Sequence, residues 1–181
     1  MNNQRFEQIQ QKLFQEGVFV ISNDAYAGLA HYILAIVEYS NMNPKKEITL
    51  YLSAQHNIYY YSMMLYDMIK AIPNPVSCVV MGEVSGYTTL IAAACEKGKR
   101  YALKHCILKM EQPTGGLDAG TNVQTDVTIE AKNTLEEREE YERLLVLETG
   151  LPADQIHQLV EEEREFKADE AVKFGIIDKV I

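Results

Sequence analysis

Phe6, Ile9, Leu13 and Phe14 recur at helical spacing, which predicts a short amphipathic helix closed by Gly17. The run VFVIS (18–22) predicts a buried strand. Ser22, Asn23 and Asp24 offer side-chain oxygens to cap the next helix, whose apolar face is Leu29, Ile33, Ile36 and Val37. NMNPKK ends that helix, and EITLYLSA (47–54) predicts a second strand. In YYYSMMLYDMIKAI (59–72), Met63, Met64, Tyr66 and Ile69 mark a third helix. A methionine and tyrosine stripe at this period reads as core rather than as a stacking surface. Pro73 and Pro75 break the chain before the strand VSCVVM (76–81). A helix over about 87–97, stopped by Gly98, and a strand in KRYAL follow.

Strands alternating with helices imply parallel pairing through right-handed crossovers, an α/β layered fold. From CILKMEQP onward the pattern changes. TGGLDAGTN is rich in turn residues, and a long polar helix follows over about 124–148. Its main apolar residues are Leu135, Leu144, Leu145 and Leu147, and EEREEYER reads as solvated charge. Such a helix, leaving a compact body, is expected to pack on another subunit. A helix after Pro152, another at 168–174 closed by Gly175, and a terminal strand in IIDKVI complete a single domain over 1–181.

The formal net charge is −9, which argues against a nucleic acid or an anionic membrane as partner, since either needs a clustered basic face. No apolar run approaches the roughly 18 residues of a membrane span, and the N-terminus lacks the apolar core of a signal peptide. A cytoplasmic location is the expectation. Cys78, Cys95 and Cys106 stand in apolar text without a C-x-x-C pair, which predicts buried reduced thiols. His31, His56, His105 and His157 are scattered, so neither a metal nor a cofactor is expected.

Candidate chemistry centres on VVMGEVSGYTTLIAAACEKGKRYAL (79–103), where Ser85 lies between an apolar strand and an apolar helix. Hydrolases place a nucleophile in such a turn. A helix cap or a small packing residue is the plainer reading of Ser85.

The texts ITLYL, LYDMI, AAACEKGKRYAL, QPTGG, ETGLPADQI and ADEAVKFGIIDKVI together resemble the ClpP family, the peptidases of ATP-dependent proteolysis, over nearly the whole chain. The resemblance implies a crotonase-like spiral of βαβ units with a protruding handle segment at about 111–150. It also implies a homo-oligomer, a heptameric ring or double ring in which handles interleave, and a Clp ATPase docked on the outer face. Tyr51 matches a residue of the family's docking pocket. Family members usually begin with an axial loop before the first helix; this text starts almost at that helix, so the loop is expected to be absent or short.

Acyl-transfer hydrolysis requires a nucleophile, a base, a carboxylate to orient the base, and donors for the oxyanion. Ungapped counting from Glu96 puts Gly86 in the nucleophile's place, with Ser85 one residue early. One step turns a side chain about 100° on a helix, or to the opposite face of a strand. Glu111 stands where the family has its histidine, and Glu163 where it has its aspartate. The family's oxyanion glycines are replaced by His56 and Asn57, and Tyr87 follows the nucleophile position.

The resemblance therefore implies a ring subunit that has lost its chemistry, of the inactive ClpR type, scaffolding or regulating a Clp proteolytic complex, alone or mixed with an active ClpP paralogue. A rearranged peptidase using Ser85 with His56, Glu111 or Glu163, or with His105 as base, is the alternative. A crotonase-like binder of acyl thioesters is a weaker one.

Overall fold

The computed structural model describes residues 3–23, 28–56, 58–114 and 124–181. In chain order the elements are α1 (Asn3–Gln15), β1 (Val18–Ser22), α2 (Leu29–Met42), β2 (Ile48–Ser53), β3 (Gln55–His56) and α3 (Tyr59–Ala71). Then come β4 (Val76–Val80), β5 (Glu83–Gly86), α4 (Tyr87–Ala94), β6 (Arg100–Ala102) and β7 (Ile107–Lys109). The chain closes with α5 (Gln124–Thr149), α6 (Ala153–Glu161), β8 (Glu165–Lys167), α7 (Ala168–Lys173) and β9 (Lys179–Val180).

The strands form two sheets, ordered β1-β2-β4-β6-β9 and β3-β5-β7-β8. Every pairing is parallel except β7 with β8. Successive turns of the chain thus place one strand in the first sheet and the next in the second, as β2 then β3 and β4 then β5 do. The second sheet was not anticipated from the sequence. Its strands are two to four residues long, too short to carry a period-2 signal.

Position in the sheet accounts for the burial patterns. Central β4 is buried at all five residues, VSCVV, whereas β2 buries Ile48, Leu50 and Leu52 and leaves Thr49, Tyr51 and Ser53 half-buried. The core continues through Leu90, Ile91 and Ala92 of α4 and through Phe166, Ala171 and Ile176.

In α5, Tyr141, Leu144, Leu145 and Glu148 are buried, while Val127, Ile129, Leu135 and Leu147 are exposed. Its C-terminal half is pinned to α3: the Tyr66 hydroxyl donates to Glu148 at 2.6 Å, and Lys70 pairs with the same carboxylate at 2.7 Å. In EEREEYER the charged residues are exposed or half-buried, as expected, and only Tyr141 is buried.

Other expectations are corrected by local geometry. The N-cap of α2 is Gly28 with no side-chain cap, and Asn23 instead accepts from the Gln55 N–H at 2.8 Å. Helix α4 ends at Ala94, short of Gly98, because Cys95 turns extended and the Glu96 N–H donates to Val76 at 2.8 Å. Tyr60, Tyr61 and Met64 of α3 are exposed, so only part of that stripe is core. His105, offered as a possible base, lies in an exposed turn between β6 and β7. The segment TGGLDAGTN falls, from its first glycine onward, outside the described residues.

Candidate active site

Strand β5 runs directly into α4, and the turn between them decides what the site can do. Gly86 is the last residue of β5 and the N-cap of α4, at φ 55° and ψ −129°. That conformation, at a sharp strand-to-helix turn, is the strained geometry in which hydrolases present a nucleophile. Glycine reaches it without a Cβ clash and brings no side chain to it.

Ser85 is a strand residue, 2% exposed: of the two plain readings it is the small packing residue, and Gly86 takes the cap position. Its N–H donates to Ala54 at 3.2 Å. Gln55 of β3 and Lys109 of β7 are its register partners on either side.

Parallel β5 and β7 end at the same edge of the second sheet, and antiparallel β8 begins there. Gly86, Glu111 and the turn holding Glu163 therefore gather at one edge. The Lys109 ammonium sits 2.9 Å from the Glu111 carboxylate and 3.4 Å from that of Glu163. Hydrogen bonding to Glu111 chiefly, and then to Glu163, raises the Lys109 pKa, so the ammonium is held charged. Sequence reasoning missed Lys109, which only strand register brings between the two carboxylates.

Glu163 terminates α6 by local hydrogen bonding. Its N–H donates to Val160 and that of Arg164 to Leu159, the paired bonds of a Schellman turn. The residue that must turn left-handed is Glu163 itself, at φ 48°, where glycine is the usual occupant.

Beside the Gly86 turn three tyrosine rings meet edge to face. Tyr87 packs on Tyr59 with centroids 5.7 Å apart and on Tyr141 at 5.1 Å. Tyr87 and Tyr141 are 1% and 0% exposed, and the Tyr141 hydroxyl donates to the Gly86 carbonyl at 3.1 Å. Burial first, then neighbouring negative charge, pushes both phenols well above the ordinary tyrosine range, so they stay protonated. The sequence signal for this cluster was the YYY of α3, but its partners lie 28 and 82 positions beyond Tyr59 (87 − 59 and 141 − 59).

The His56 backbone pairs with Gly86 in the β3–β5 ladder; its side chain and the whole of Asn57 lie outside the described residues. Tyr51 is half-buried on β2, opposite Val20 and Val79. His31 is exposed on α2, and His157, exposed on α6, lies 3.0 Å from Glu142. The three cysteines are free and buried. Among the described residues no group of three or more His, Cys, Asp or Glu side chains could hold a metal ion. No helix among them is long and apolar enough to cross a membrane.

The sequence model of the Clp protease family matches residues 1–181. The chain belongs to the Clp protease family. Among its relatives, ATP-dependent Clp protease proteolytic subunit 3 of Rhodococcus jostii (strain RHA1) is 29% identical over 171 residues, covering 94% of this chain and 83% of the relative. Proteolytic subunit 2 of Thermobifida fusca (strain YX) is 30% identical over 177 residues, covering 97% of this chain and 86% of the relative. The mixed α/β architecture, with its parallel sheet and long α5, is consistent with the Clp protease fold.

Proposed function

We propose that this chain is a ring-forming Clp protease subunit that does not cleave peptides and that scaffolds or regulates a Clp proteolytic complex. The observation that supports this reading is the glycine at the strained strand-to-helix turn: Gly86, assigned to the nucleophile's place, brings no oxygen to it. Glu111 and Glu163, assigned to the places of base and orienting carboxylate, share the charge of Lys109. A carboxylate paired with an ammonium is a poor acceptor for a serine proton. Loss of the nucleophile alone removes on the order of 10⁶ in turnover from a triad hydrolase.

The tyrosine cluster supports the same reading, because its rings fill the space beside the turn. It counts equally against the acyl-thioester binder. Ser85 is buried one residue from the turn, and the neighbouring Lys109 is held charged, which counts against a rearranged peptidase. The family's rings and ATPase partners extend to this chain as part of the proposal. A homo-oligomeric heptameric ring or double ring, a mixed ring with an active paralogue, docking through Tyr51 and a cytoplasmic location all belong to it.

Two measurements test it. Incubation with fluorogenic peptides and a fluorophosphonate probe is expected to give no turnover and no label on Ser85. Mass measurement by light scattering is expected to give a ring. A monomer at micromolar concentration, or peptide cleavage abolished by Ser85→Ala, would overturn the reading.

A further inference from the structure

The N-terminal turn of α3 and the protruding half of α5 meet in a pocket of about 140 Å³ lined by Tyr59, Tyr60, Asn133, Glu136 and Glu137. Gly86, Glu111 and Glu163 do not line it. One wall is aromatic: Tyr59 and Tyr60 contact edge to face with centroids 5.4 Å apart. The other comes from α5, where the spacing of 133, 136 and 137 puts three polar side chains on one face.

Of the two carboxylates in the acidic wall, only one has a cation among the described residues. Glu136 pairs with Lys132 at 3.5 Å, an exposed contact. Half-buried Glu137 has no ion pair among the described residues, and burial, with the charge of Glu130, pushes its carboxyl upward. Its ionised form therefore sits in unfavourable surroundings.

A second observation comes from behind Tyr59. The Tyr87 hydroxyl is buried without a hydrogen-bond partner among the described residues, and Glu137 is the foremost charge acting on it. An unsatisfied buried hydroxyl costs about 1–3 kcal/mol, and in a native structure such a group requires an explanation. Tyr87 touches Tyr59, whose ring lines the pocket.

We propose that this pocket binds an alkylammonium group. The rings of Tyr59 and Tyr60 take its charge and methylenes on their faces, as aromatic surfaces take organic cations. Glu137 and Glu136 provide the counter-charge, and Asn133 provides an amide oxygen as a further acceptor. Tyr87 does not line the pocket, but Glu137, which does, is the foremost charge acting on its hydroxyl. The volume suits the end of a lysine side chain or one arm of a polyamine, which carry the same group.

The test is calorimetric titration of the whole protein with N-acetyl-lysine methylamide, with spermidine, and with the uncharged norleucine analogue. Saturable binding of at least one ammonium probe, with none of the norleucine analogue, is expected; preference between the two probes identifies the source. Glu137→Gln should weaken binding about tenfold, as loss of a charge-assisted contact does. Tyr60→Ala, at a ring 71% exposed and so harmless to the core, should weaken it roughly threefold to tenfold. Glu163→Gln, outside the pocket, should leave it unchanged. No saturable binding, full affinity in Glu137→Gln and Tyr60→Ala, or an equal loss in Glu163→Gln, which would indicate diffuse attraction to an acidic protein, overturns the proposal.

Discussion

Tyr141 of α5 donates its hydroxyl to the carbonyl of Gly86 at 3.1 Å, tying the long helix to the turn between β5 and α4. Both groups are buried, so removing the donor leaves an orphaned carbonyl. Tyr141→Phe is expected to lower stability by about 1–2 kcal/mol. Urea denaturation should show an earlier midpoint with an unchanged slope, and an unmoved midpoint would contradict the bond.

Restoring a hydroxyl at the turn is not expected to restore chemistry. In Gly86→Ser the new side chain must adopt φ 55°, at a cost of about 1–3 kcal/mol. Glu111, assigned to the place of the base, is already paired with Lys109. Fluorogenic peptide turnover should remain at background while the urea midpoint falls. Turnover in this single variant would show that only the nucleophile is missing and that a working base remains.

Arg100 and Asp178 lock β6 to the C-terminal segment. Arg100 Nε lies 3.0 Å from Oδ2 and Nη2 lies 2.6 Å from Oδ1, while Oδ2 also accepts from the backbone N–H groups of Gly98 and Arg100. Burial alone would push the Asp178 carboxyl up, but the Arg100 hydrogen bonds and charge outweigh it and hold it low. A carboxyl lowered in the folded state binds its proton more tightly when unfolded, so its contribution is present above the unfolded pKa. That contribution should disappear as pH falls below about 4, through the folded pKa. Asp178→Asn should lose about 3–5 kcal/mol at neutral pH by leaving Arg100 buried without its counter-ion. Denaturation midpoints measured from pH 7 to pH 3 should fall more steeply for the native sequence than for the variant.

Glu163 invites the opposite outcome. Its left-handed backbone favours glycine, and its contact with Lys109 is a long one on a half-exposed side chain. Glu163→Gly should raise stability by about 0.5–1 kcal/mol, since little is lost with the ion pair. A lower thermal midpoint would mean that the Lys109 bridge matters more than the backbone.

Much of the fold was legible because long elements repeat their signal. β1, α3, α5 and α6 lie within a residue or two of the positions read from apolar spacing. The second sheet was not legible, since β3 and β8 hold two and three residues and derive their stability from neighbours distant in sequence. At the site, Gly86, Glu111 and Glu163 were named by counting along text that resembles a family. Lys109 and Tyr141 were overlooked because neither has a local reason to matter. His105, singled out as a possible base, proved to be an exposed turn residue.

Sequence alone determined that the chain is α/β, that its family is one of Clp protease subunits, and that no hydroxyl stands at position 86, because residue identity and apolar period are properties of the chain. Tertiary structure decided that position 86 is a left-handed turn, that Lys109 bridges two carboxylates, and that three tyrosines converge beside the turn. Those are facts of strand register and helix crossing. Such relations depend on which segments pack together across tens of residues, and local spacing carries no information about that choice.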